Sequence, residues 1–254
     1  VPTITTQPQS AVNVCLGETI SLSVVATGNG VPSYQWQKDG VVIVSATAAN
    51  FNISIAAATD AGDYQCIVTD VDGSTTSTIS TVTVNSLPTI GITGDNTICP
   101  GESTTLTPTG GVSYVWSPGG ETSTLLTVSP TSDTLYSVIG TNANGCSSSA
   151  TFTVTVNSLP TIGISGNNTI CLTESTTLTA AGAASYIWSP GGQTTPTISV
   201  SPTSDTTYSV IGTDANGCAN NSATFTVTVN SLPTIGVSGN NTICLTESTT
   251  LTAA

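Results

Sequence analysis

The stretch Asn144–Thr179 reads "NGCSSSATFTVTVNSLPTIGISGNNTICLTESTTLT", and Asn216–Thr252 nearly repeats it as "NGCANNSATFTVTVNSLPTIGVSGNNTICLTESTTLT". In both copies Thr alternates with Phe or Val in "TFTVTV", and this period of two predicts a β-strand with one buried face. Gly, Pro and Asn interrupt the rest of the stretch at short intervals, as they do between the strands of an antiparallel sandwich. The stretch therefore predicts an all-β domain that occurs more than once in the chain.

The repeat also predicts where the domains begin and end. The motif "LPTI" starts at Leu87, Leu159 and Leu232, and a spacing of roughly 70 residues fits a small domain and is too long for a solenoid coil. Residues 1–86 form a related, longer unit, because "CLGETISL" and "YQW" match "CPGESTTL" and "YVW" further on. We therefore predict bead one at 1–86, bead two at 87–158, bead three at 159–231 and the incomplete start of bead four at 232–254.

The charge of the chain excludes several classes of function. Fourteen acidic residues accompany a single Lys, with no Arg and no His, so the formal net charge is −13. A nucleic acid partner is excluded because binding to phosphates requires several cationic side chains. Without His there is no Ser-His or Cys-His nucleophile pair and no imidazole metal ligand, so we expect no enzyme, no cofactor and no metal. No apolar run reaches roughly 18 residues, and no transmembrane segment is predicted.

Two pairs of carboxylates lie close together in the sequence, Asp60 with Asp63 and Asp70 with Asp72. Acid–base catalysis would require such a pair in a shielded pocket, whereas both segments read as turns. The segment "DVDG" at 70–73 is similar to the start of a calcium-binding loop, but it lacks the third ligand and the distal Glu. We predict a hairpin turn at this position.

Comparison of the beads predicts which side chains are buried. Leu125 of bead two becomes Thr197 in bead three, so this position faces water, whereas Leu126 and its counterpart Ile198 face the core. The predicted core has one Trp and one Tyr at matching places in each bead, packed by a Leu. These residues are Trp36, Trp116, Trp188, Tyr64, Tyr136, Tyr208, Leu22, Leu106 and Leu178.

Bead one resembles an immunoglobulin-like domain along its whole length. The segment "DAGDYQC" at Asp60–Cys66 resembles the tyrosine corner and sixth strand of that family, although Val24 stands where the cysteine partner of Cys66 is expected. The later beads, with "CPGESTTL", "YVWS" and "NANGC", resemble immunoglobulin-like and PKD-like repeats in long surface proteins of Bacteroidota. That resemblance implies an extracellular or cell-surface protein that is exported by type 9 secretion.

The resemblance implies two functions. The first is a non-catalytic structural and adhesive protein, a cell-surface rod or filament like the gliding-motility adhesins, whose partners are neighbouring repeats and further copies of itself. The second is the stalk of a secreted hydrolase whose catalytic domain lies outside this sequence. The near identity of beads two and three favours the filament, because such copies arise in long arrays. The adhesion ligand is not identified by any motif.

Seven cysteines in a secreted chain predict disulfides. In an immunoglobulin-like sandwich the corner before the second strand and the hairpin before the last strand lie at opposite poles, about 20 Å apart. A disulfide requires Cα atoms within about 7 Å. The resemblance therefore implies bonds between successive beads, Cys15–Cys146 and Cys99–Cys218. The alternative within-bead pairs, Cys99–Cys146 and Cys171–Cys218, stay open if the strand assignment is wrong.

Bead one provides a comparison for this pairing. It keeps Cys15, but its hairpin has Ser74 where we align the cysteines of the later beads. Pairing between beads gives Cys15 a partner and leaves Cys66 as a buried thiol beside Val24. Cys171 and Cys244 would then require cysteines of further repeats.

Two threonines are candidates for O-glycosylation. "DTL" at 133–135 and "DTT" at 205–207 resemble the Asp-Ser/Thr-apolar motif that is modified in Bacteroidota, which would place glycans on Thr134 and Thr206. The second match is poorer because Thr207 is not a large apolar residue. The alternative is that Asp and Thr end a turn before the sixth strand.

Overall fold

The structure is a computed structural model that describes residues 1–253, without the side chains of residues 221 and 222. The chain divides into two compact units, Val1–Asn96 with Ser103–Thr155, and Thr97–Glu102 with Val156–Ala254. Apart from a short 3₁₀ turn at Ala58–Asp60, the regular structure of the described residues consists of strands. In the same residues no helix is long and apolar enough to cross a membrane.

Bead one is a sandwich of two layers. Its strands are β1 (Thr3–Thr6), β2 (Ala11–Cys15), β3 (Ile20–Ser23), β4 (Val25–Thr27), β5 (Ser33–Lys38), β6 (Val41–Val42), β7 (Asn50–Ile53), β8 (Gly62–Asp70), β9 (Gly73–Thr76) and β10 (Ser80–Asn85). One layer contains the pairs β1–β4 and β3–β7, and the other has the order β2-β10-β8-β5-β6, with β9 paired to β8. Strand β2 runs parallel to β10, and the other pairs are antiparallel.

Bead two has the same arrangement with fewer strands. They are β11 (Gly91–Thr93), β12 (Thr97–Ile98), β13 (Thr104–Thr109), β14 (Ser113–Ser117), β15 (Leu126–Val128), β16 (Thr134–Thr141) and β17 (Ser147–Val156). They form a three-stranded sheet in the order β11-β13-β15 and a four-stranded sheet in the order β12-β17-β16-β14.

Bead three repeats this topology strand for strand. Its strands are β18 (Gly163–Ser165), β19 (Thr169–Cys171), β20 (Thr176–Ala181), β21 (Ser185–Ser189), β22 (Thr197–Val200), β23 (Thr206–Thr213) and β24 (Ala219–Asn230). The sheet orders are β18-β20-β22 and β19-β24-β23-β21, and the described part of bead four contributes a small pair, β25 (Val237–Ser238) with β26 (Thr252–Ala253).

The core of each bead lies between its two sheets, and strand periodicity explains which side chains enter it. The three Trp residues and the three Leu residues predicted to pack with them are buried, as are Tyr64, Tyr136 and Tyr208. Leu125 is exposed and Leu126 is buried, in agreement with the comparison between beads. Burying one side of each strand in this way accounts for the alternation of Thr with Val and Phe in the sequence.

Candidate functional site: the cross-linked junctions

A tight corner follows β2, β12 and β19 in beads one to three and presents a cysteine. In bead one the backbone N–H of Cys15 donates to Glu18 Oε2 at 2.7 Å, and the N–H of Glu18 donates to the Cys15 carbonyl at 3.0 Å. The same reciprocal pair forms between Cys99 and Glu102, with N–H to carboxylate at 2.9 Å. Sequence reasoning missed the role of this Glu, although the spacing Cys-x-x-Glu occurs in every bead and could have revealed it.

A hairpin with a capped turn presents the second cysteine. Asn142 Oδ1 accepts hydrogen bonds from the backbone N–H groups of Asn144 and Cys146, both at 3.0 Å. In bead three Asp214 Oδ1 accepts the N–H groups of Asn216 and Cys218, at 2.8 and 2.9 Å. Because an Asn or Asp side chain fixes the turn in this way, each hairpin cysteine has a defined direction at the start of the last strand.

These corners and hairpins meet in two disulfides. Cys15 is bonded to Cys146 with a Cα–Cα distance of 5.6 Å, and Cys99 is bonded to Cys218 with a Cα–Cα distance of 5.5 Å. Both are the between-bead pairs expected from the immunoglobulin-like topology, and the within-bead pairs do not form. Cys146 and Cys218 are buried, so the bonded hairpin sulfurs are shielded from solvent.

The alignment of Ser74 with the hairpin cysteines is corrected by the strand register. Ser74 lies opposite Thr69, and its hydroxyl contacts the Thr69 hydroxyl at 3.0 Å. Ser147 has the same relationship with Thr141, at 3.1 Å, so Ser74 corresponds to Ser147. The hairpin of bead one is shorter, and Gly73 begins the strand at the place that Cys146 occupies in bead two. A missing residue in the turn shifted the sequence alignment by one position.

Hydrogen bonds reinforce the first junction, which is the contact between beads one and two at Cys15–Cys146. The N–H of Leu16, next to the corner cysteine, donates to the Asn85 carbonyl at 2.9 Å, and Asn142 Nδ2 donates to the Ser86 carbonyl at 3.0 Å. The corner, the end of the last strand and the following hairpin are therefore held together by a disulfide and by polar contacts. In bead three Asp214 replaces Asn142 and has no amide to donate, so this side-chain contact is specific to the first junction.

Three cysteines are free, and their environments differ. Cys66 is fully buried opposite Trp36 in the adjacent strand, in the same core cluster as Val24. Burial raises the pKa of the Cys66 thiol, which keeps it protonated and unreactive. Cys171 and Cys244 are exposed, and each lies in a corner of the type that holds Cys15.

The predicted core aromatics are anchored by polar contacts. Each Trp donates a hydrogen bond from its indole N–H to a backbone carbonyl. Trp36 donates to Ala48 at 2.9 Å, Trp116 to Ser123 at 3.0 Å and Trp188 to Thr195 at 3.0 Å. The Tyr64 hydroxyl donates to the Asp60 carbonyl at 2.8 Å, the contact expected of a tyrosine corner. Burial raises the pKa values of Tyr136 and Tyr208.

The paired carboxylates bind backbone and side-chain donors in turns. Asp60 Oδ2 accepts the N–H of Ala57 at 2.8 Å, and Asp63 Oδ1 accepts the Thr81 hydroxyl at 2.8 Å. Asp70 accepts the N–H groups of Asn29 and Asp72, at 2.9 and 2.8 Å. These contacts are typical of turn stabilisation. Among residues 1–253 no group of three or more His, Cys, Asp or Glu side chains is placed to hold a metal ion.

The glycosylation candidates lie in matching turns. Thr134 and Thr206 are half-buried, and their hydroxyls donate to the carbonyls of Ser132 and Ser204, both at 2.8 Å. The contacts fit the turn interpretation, and modification of either residue stays a prediction.

Comparisons with known proteins agree with the topology of bead one. Residues 1–70 match the family model described as immunoglobulin domain. A segment of 71 residues, 27% of the chain, is 46% identical to a decoration protein of Escherichia phage T5 and covers 43% of that protein. The chain thus spans less than half the length of this curated relative.

Similar solved structures contain immunoglobulin domains in series. A structure of titin domains I67–I69, in an E-to-A variant, aligns with a TM-score of 0.48 and 14% identity over 91% of this chain and 99% of that one. Domains 1–5 of Sidekick-1 align with a TM-score of 0.33 and 16% identity over 93% of this chain and 60% of that one. From the family match of bead one and the strand order shared by beads one to three, the chain is an all-β protein of tandem immunoglobulin-like sandwiches.

Proposed function

We propose that this chain is a non-catalytic, extracellular structural and adhesive repeat protein whose beads act as spacers in a cross-linked series. The observation that carries the proposal is the placement of the disulfides. Each one joins a corner cysteine to a hairpin cysteine more than a hundred residues later, with separations of 131 and 119. Such bonds fix the geometry of a junction, which a spacer requires and a separate binding domain does not.

Electrostatics and redox chemistry support the same function. In beads two and three the carboxylates lie in turns and corners, and the strands carry no charged side chain. The sheet surfaces are therefore neutral, whereas the net charge of −13 keeps separate chains in solution by mutual repulsion. Disulfides persist outside the reducing cytosol, which favours an extracellular location.

The setting of the display has two candidates. The repeats resemble those of Bacteroidota cell-surface proteins exported by type 9 secretion, which favours a rod or filament on a cell. The 46% identity to a phage decoration protein over 71 residues favours a second setting, in which the beads project from the surface of a virus particle. In both settings the chain extends a surface outward, and adhesion would occur along its sides or at another domain.

Surface display can be tested by treating intact cells or particles of the source with an Asp/Glu-specific protease. Release of bead peptides without lysis supports the proposal, and release only after lysis contradicts it. An abundant interior protein is the matched control for integrity. Trypsin is unsuitable because Lys38 is the one basic residue in the sequence.

The spacer role can be tested by small-angle scattering with and without reductant. We expect the maximum dimension of the purified chain to be well defined before reduction and poorly defined after it. The circular dichroism should stay constant, because the beads keep their cores. Each closed loop also stabilises the chain by about 4–5 kcal/mol in the chain-entropy model. A Cys15→Ser/Cys146→Ser double variant should reproduce part of the change without reductant, and unchanged scattering in both samples would argue against a spacer.

A further inference from the structure

The corner of bead three has the internal structure of the two corners that form disulfides. The N–H of Cys171 donates to Glu174 Oε2 at 2.9 Å, and the N–H of Glu174 donates to the Cys171 carbonyl at 3.0 Å. The corresponding distances at Cys99 are 2.9 and 3.0 Å. Cys171 nevertheless is free and exposed, so the same local structure has one bonded and one unbonded form in this chain.

The strands around Cys171 also reproduce the bonded junction. In bead one β2 pairs with β10 in parallel, with Cys15 opposite Asn85, and the N–H of Leu16 donates to the Asn85 carbonyl at 2.9 Å. In bead three β19 pairs with β24 in parallel, with Cys171 opposite Asn230. The N–H of Leu172 donates to the Asn230 carbonyl, again at 2.9 Å. The backbone arrangement beside Cys15, where Cys146 is bonded, is therefore also present around Cys171.

We propose that the Cys171 corner is a docking site for a hairpin of sequence Asx-Ala-Asn-Gly-Cys from a complete fourth bead, and that Cys171 forms a disulfide with the cysteine of that hairpin. The partner is the bead that begins at residue 232 and follows bead three as bead two follows bead one. The inference extends the serial cross-linking of the proposed function, and it does not depend on where the chain is displayed.

The hairpins present in this chain exclude the other occupants. Cys146 and Cys218 are already bonded. The hairpin of bead one has Gly73 at the place of the cysteine, and its Asp70 carboxylate binds the N–H groups of Asn29 and Asp72. A second copy therefore cannot attach head to tail through bead one. The disulfides between beads therefore run in one direction along the chain. The bead one hairpin offers no cysteine to another corner, whereas the free Cys171 can bond to the hairpin of a later bead.

The bond would form by thiol–disulfide exchange with a low-molecular-weight disulfide such as oxidised glutathione. The Cys171 thiolate attacks one sulfur of glutathione disulfide, which forms a mixed disulfide and releases one glutathione. The hairpin thiolate then attacks the Cys171 sulfur of the mixed disulfide and releases the second glutathione. Two protein thiols are oxidised, and one glutathione disulfide is reduced to two thiols.

The test completes the fourth bead on the full chain. Ala254 corresponds to Ala181 in the repeat, so a copy of residues 182–231 appended after Ala254 supplies the missing strands and a copy of Cys218. The present chain has three free cysteines, Cys66, Cys171 and Cys244. After refolding with reduced and oxidised glutathione, alkylation under denaturing conditions should label Cys66 and Cys244 only. An Asp/Glu-specific protease leaves Cys146 and Cys171 on one peptide, and Cys218 and Cys244 on another, so chymotrypsin is added to cut after Phe152 and Phe225. The double digest should then yield a peptide that links Cys171 to the added cysteine.

Matched variants make the result specific. Replacing the added cysteine with Ser should leave Cys171 open to alkylation, and Cys244→Ser in the extended chain should leave the Cys171 linkage intact. A second extension with residues 110–158, which ends in bead two sequence, guards against a folding defect of one copy. Two results would overturn the proposal. One is a disulfide between the added cysteine and Cys244. The other is a free Cys171 in an extended chain whose fluorescence shows that the added Trp is buried.

Discussion

Asn142 Nδ2 donates a hydrogen bond of 3.0 Å to the carbonyl oxygen of Ser86, so the hairpin of bead two holds the segment that leaves bead one. The Oδ1 atom of the same side chain caps its own hairpin by accepting two backbone N–H groups. One amide thus orients Cys146 and fastens it to the residue after the last strand of bead one. The polar contact and the disulfide act on the same junction.

Asn142→Asp should weaken the first junction and leave its hairpin formed. The carboxylate still accepts from the hairpin N–H groups but cannot donate to Ser86, and losing such a bond costs about 0.5–1.5 kcal/mol. We expect dithiothreitol to reduce Cys15–Cys146 roughly two- to tenfold faster. Asn144→Asp, an equal charge change on the same exposed turn, is the control. Equal rates in the two variants would show that the contact with Ser86 does not stabilise the junction.

Trp188→Ala should unfold bead three and leave beads one and two folded. Trp188 is buried, and truncating a Trp in a core costs about 3–5 kcal/mol, most of the stability of so small a domain. Fluorescence of Trp36 and Trp116 should keep its buried emission while circular dichroism loses part of its β signal. The neighbouring Ile187 is 52% exposed, and Ile187→Ala should change stability by less than about 0.5 kcal/mol.

Thr173→Gly should stabilise the corner that holds Cys171. Thr173 has φ +80°, in the left-handed region, where bead one has Gly17 at φ +87° and bead two has Gly101 at φ +86°. Removing the cost of the left-handed conformation should stabilise the folded corner by about 1–2 kcal/mol. The additional chain entropy that Gly loses on folding offsets roughly 0.5–1 kcal/mol of this gain. Hydrogen exchange at the corner should therefore slow. Gly101→Thr is the reciprocal variant, and protection that moves in the same direction in both would contradict the explanation.

Tyr64 predicts a loss of stability at high pH. Burial, and then the carboxylates of Asp60 and Asp39, raise the pKa of Tyr64 from 10.0 to about 12. Because the unfolded chain releases this proton first, stability is complete below pH 10 and falls as the pH rises from about 10 to about 12. The loss is up to roughly 3 kcal/mol. Urea titrations of Tyr64→Phe should show lower stability at pH 7 but a shallower fall in that window, and parallel curves would refute the assignment.

O-glycosylation at Thr134 and Thr206 can be decided by intact-mass analysis of material from the source organism. A mass increase that disappears in a Thr134→Ala/Thr206→Ala variant is the expected result. Each hydroxyl donates to the carbonyl two residues earlier, so a glycan would replace this proton and lie at the edge of the turn. Native peptides with unmodified mass would leave the turn as the complete explanation of the motif.

The sequence was sufficient for features that depend on alternation and on repetition. Trp36, Trp116 and Trp188 could be placed in the core because each follows a Tyr-x-Trp pattern in a strand of period two. The pairing of Cys15 with Cys146 was implied by the resemblance to an immunoglobulin-like sandwich, whose two poles lie one strand length apart and are too distant for one bond. Alternation and strand length are properties of the backbone that a sequence determines strongly, and the resemblance supplied the topology in which they were used.

Features that depend on a single residue in a turn were missed. Ser74 was aligned with cysteine because a hairpin shortened by one residue leaves almost the same letters in the sequence. The contact of Asn142 with Ser86 joins residues that are 56 positions apart, and no local pattern encodes it. The capping role of Glu102 was overlooked despite its regular spacing from Cys99, because a Glu is an ordinary residue in an exposed, polar corner.

The two disulfides interleave along the chain, since Cys99 lies inside the loop closed by Cys15–Cys146, and Cys146 lies inside the loop closed by Cys99–Cys218. A protease that cuts one peptide bond anywhere between Cys15 and Cys218 therefore leaves both fragments tethered. Pulling on the ends has a related outcome. The shortest covalent route from Cys15 to Cys218 crosses both disulfides and the backbone between Cys99 and Cys146. The rest of the backbone between Cys15 and Cys218 can therefore unfold without lengthening the molecule. Between Cys15 and Cys218 the chain therefore has a fixed maximum length, and it stays in one piece after a single cut.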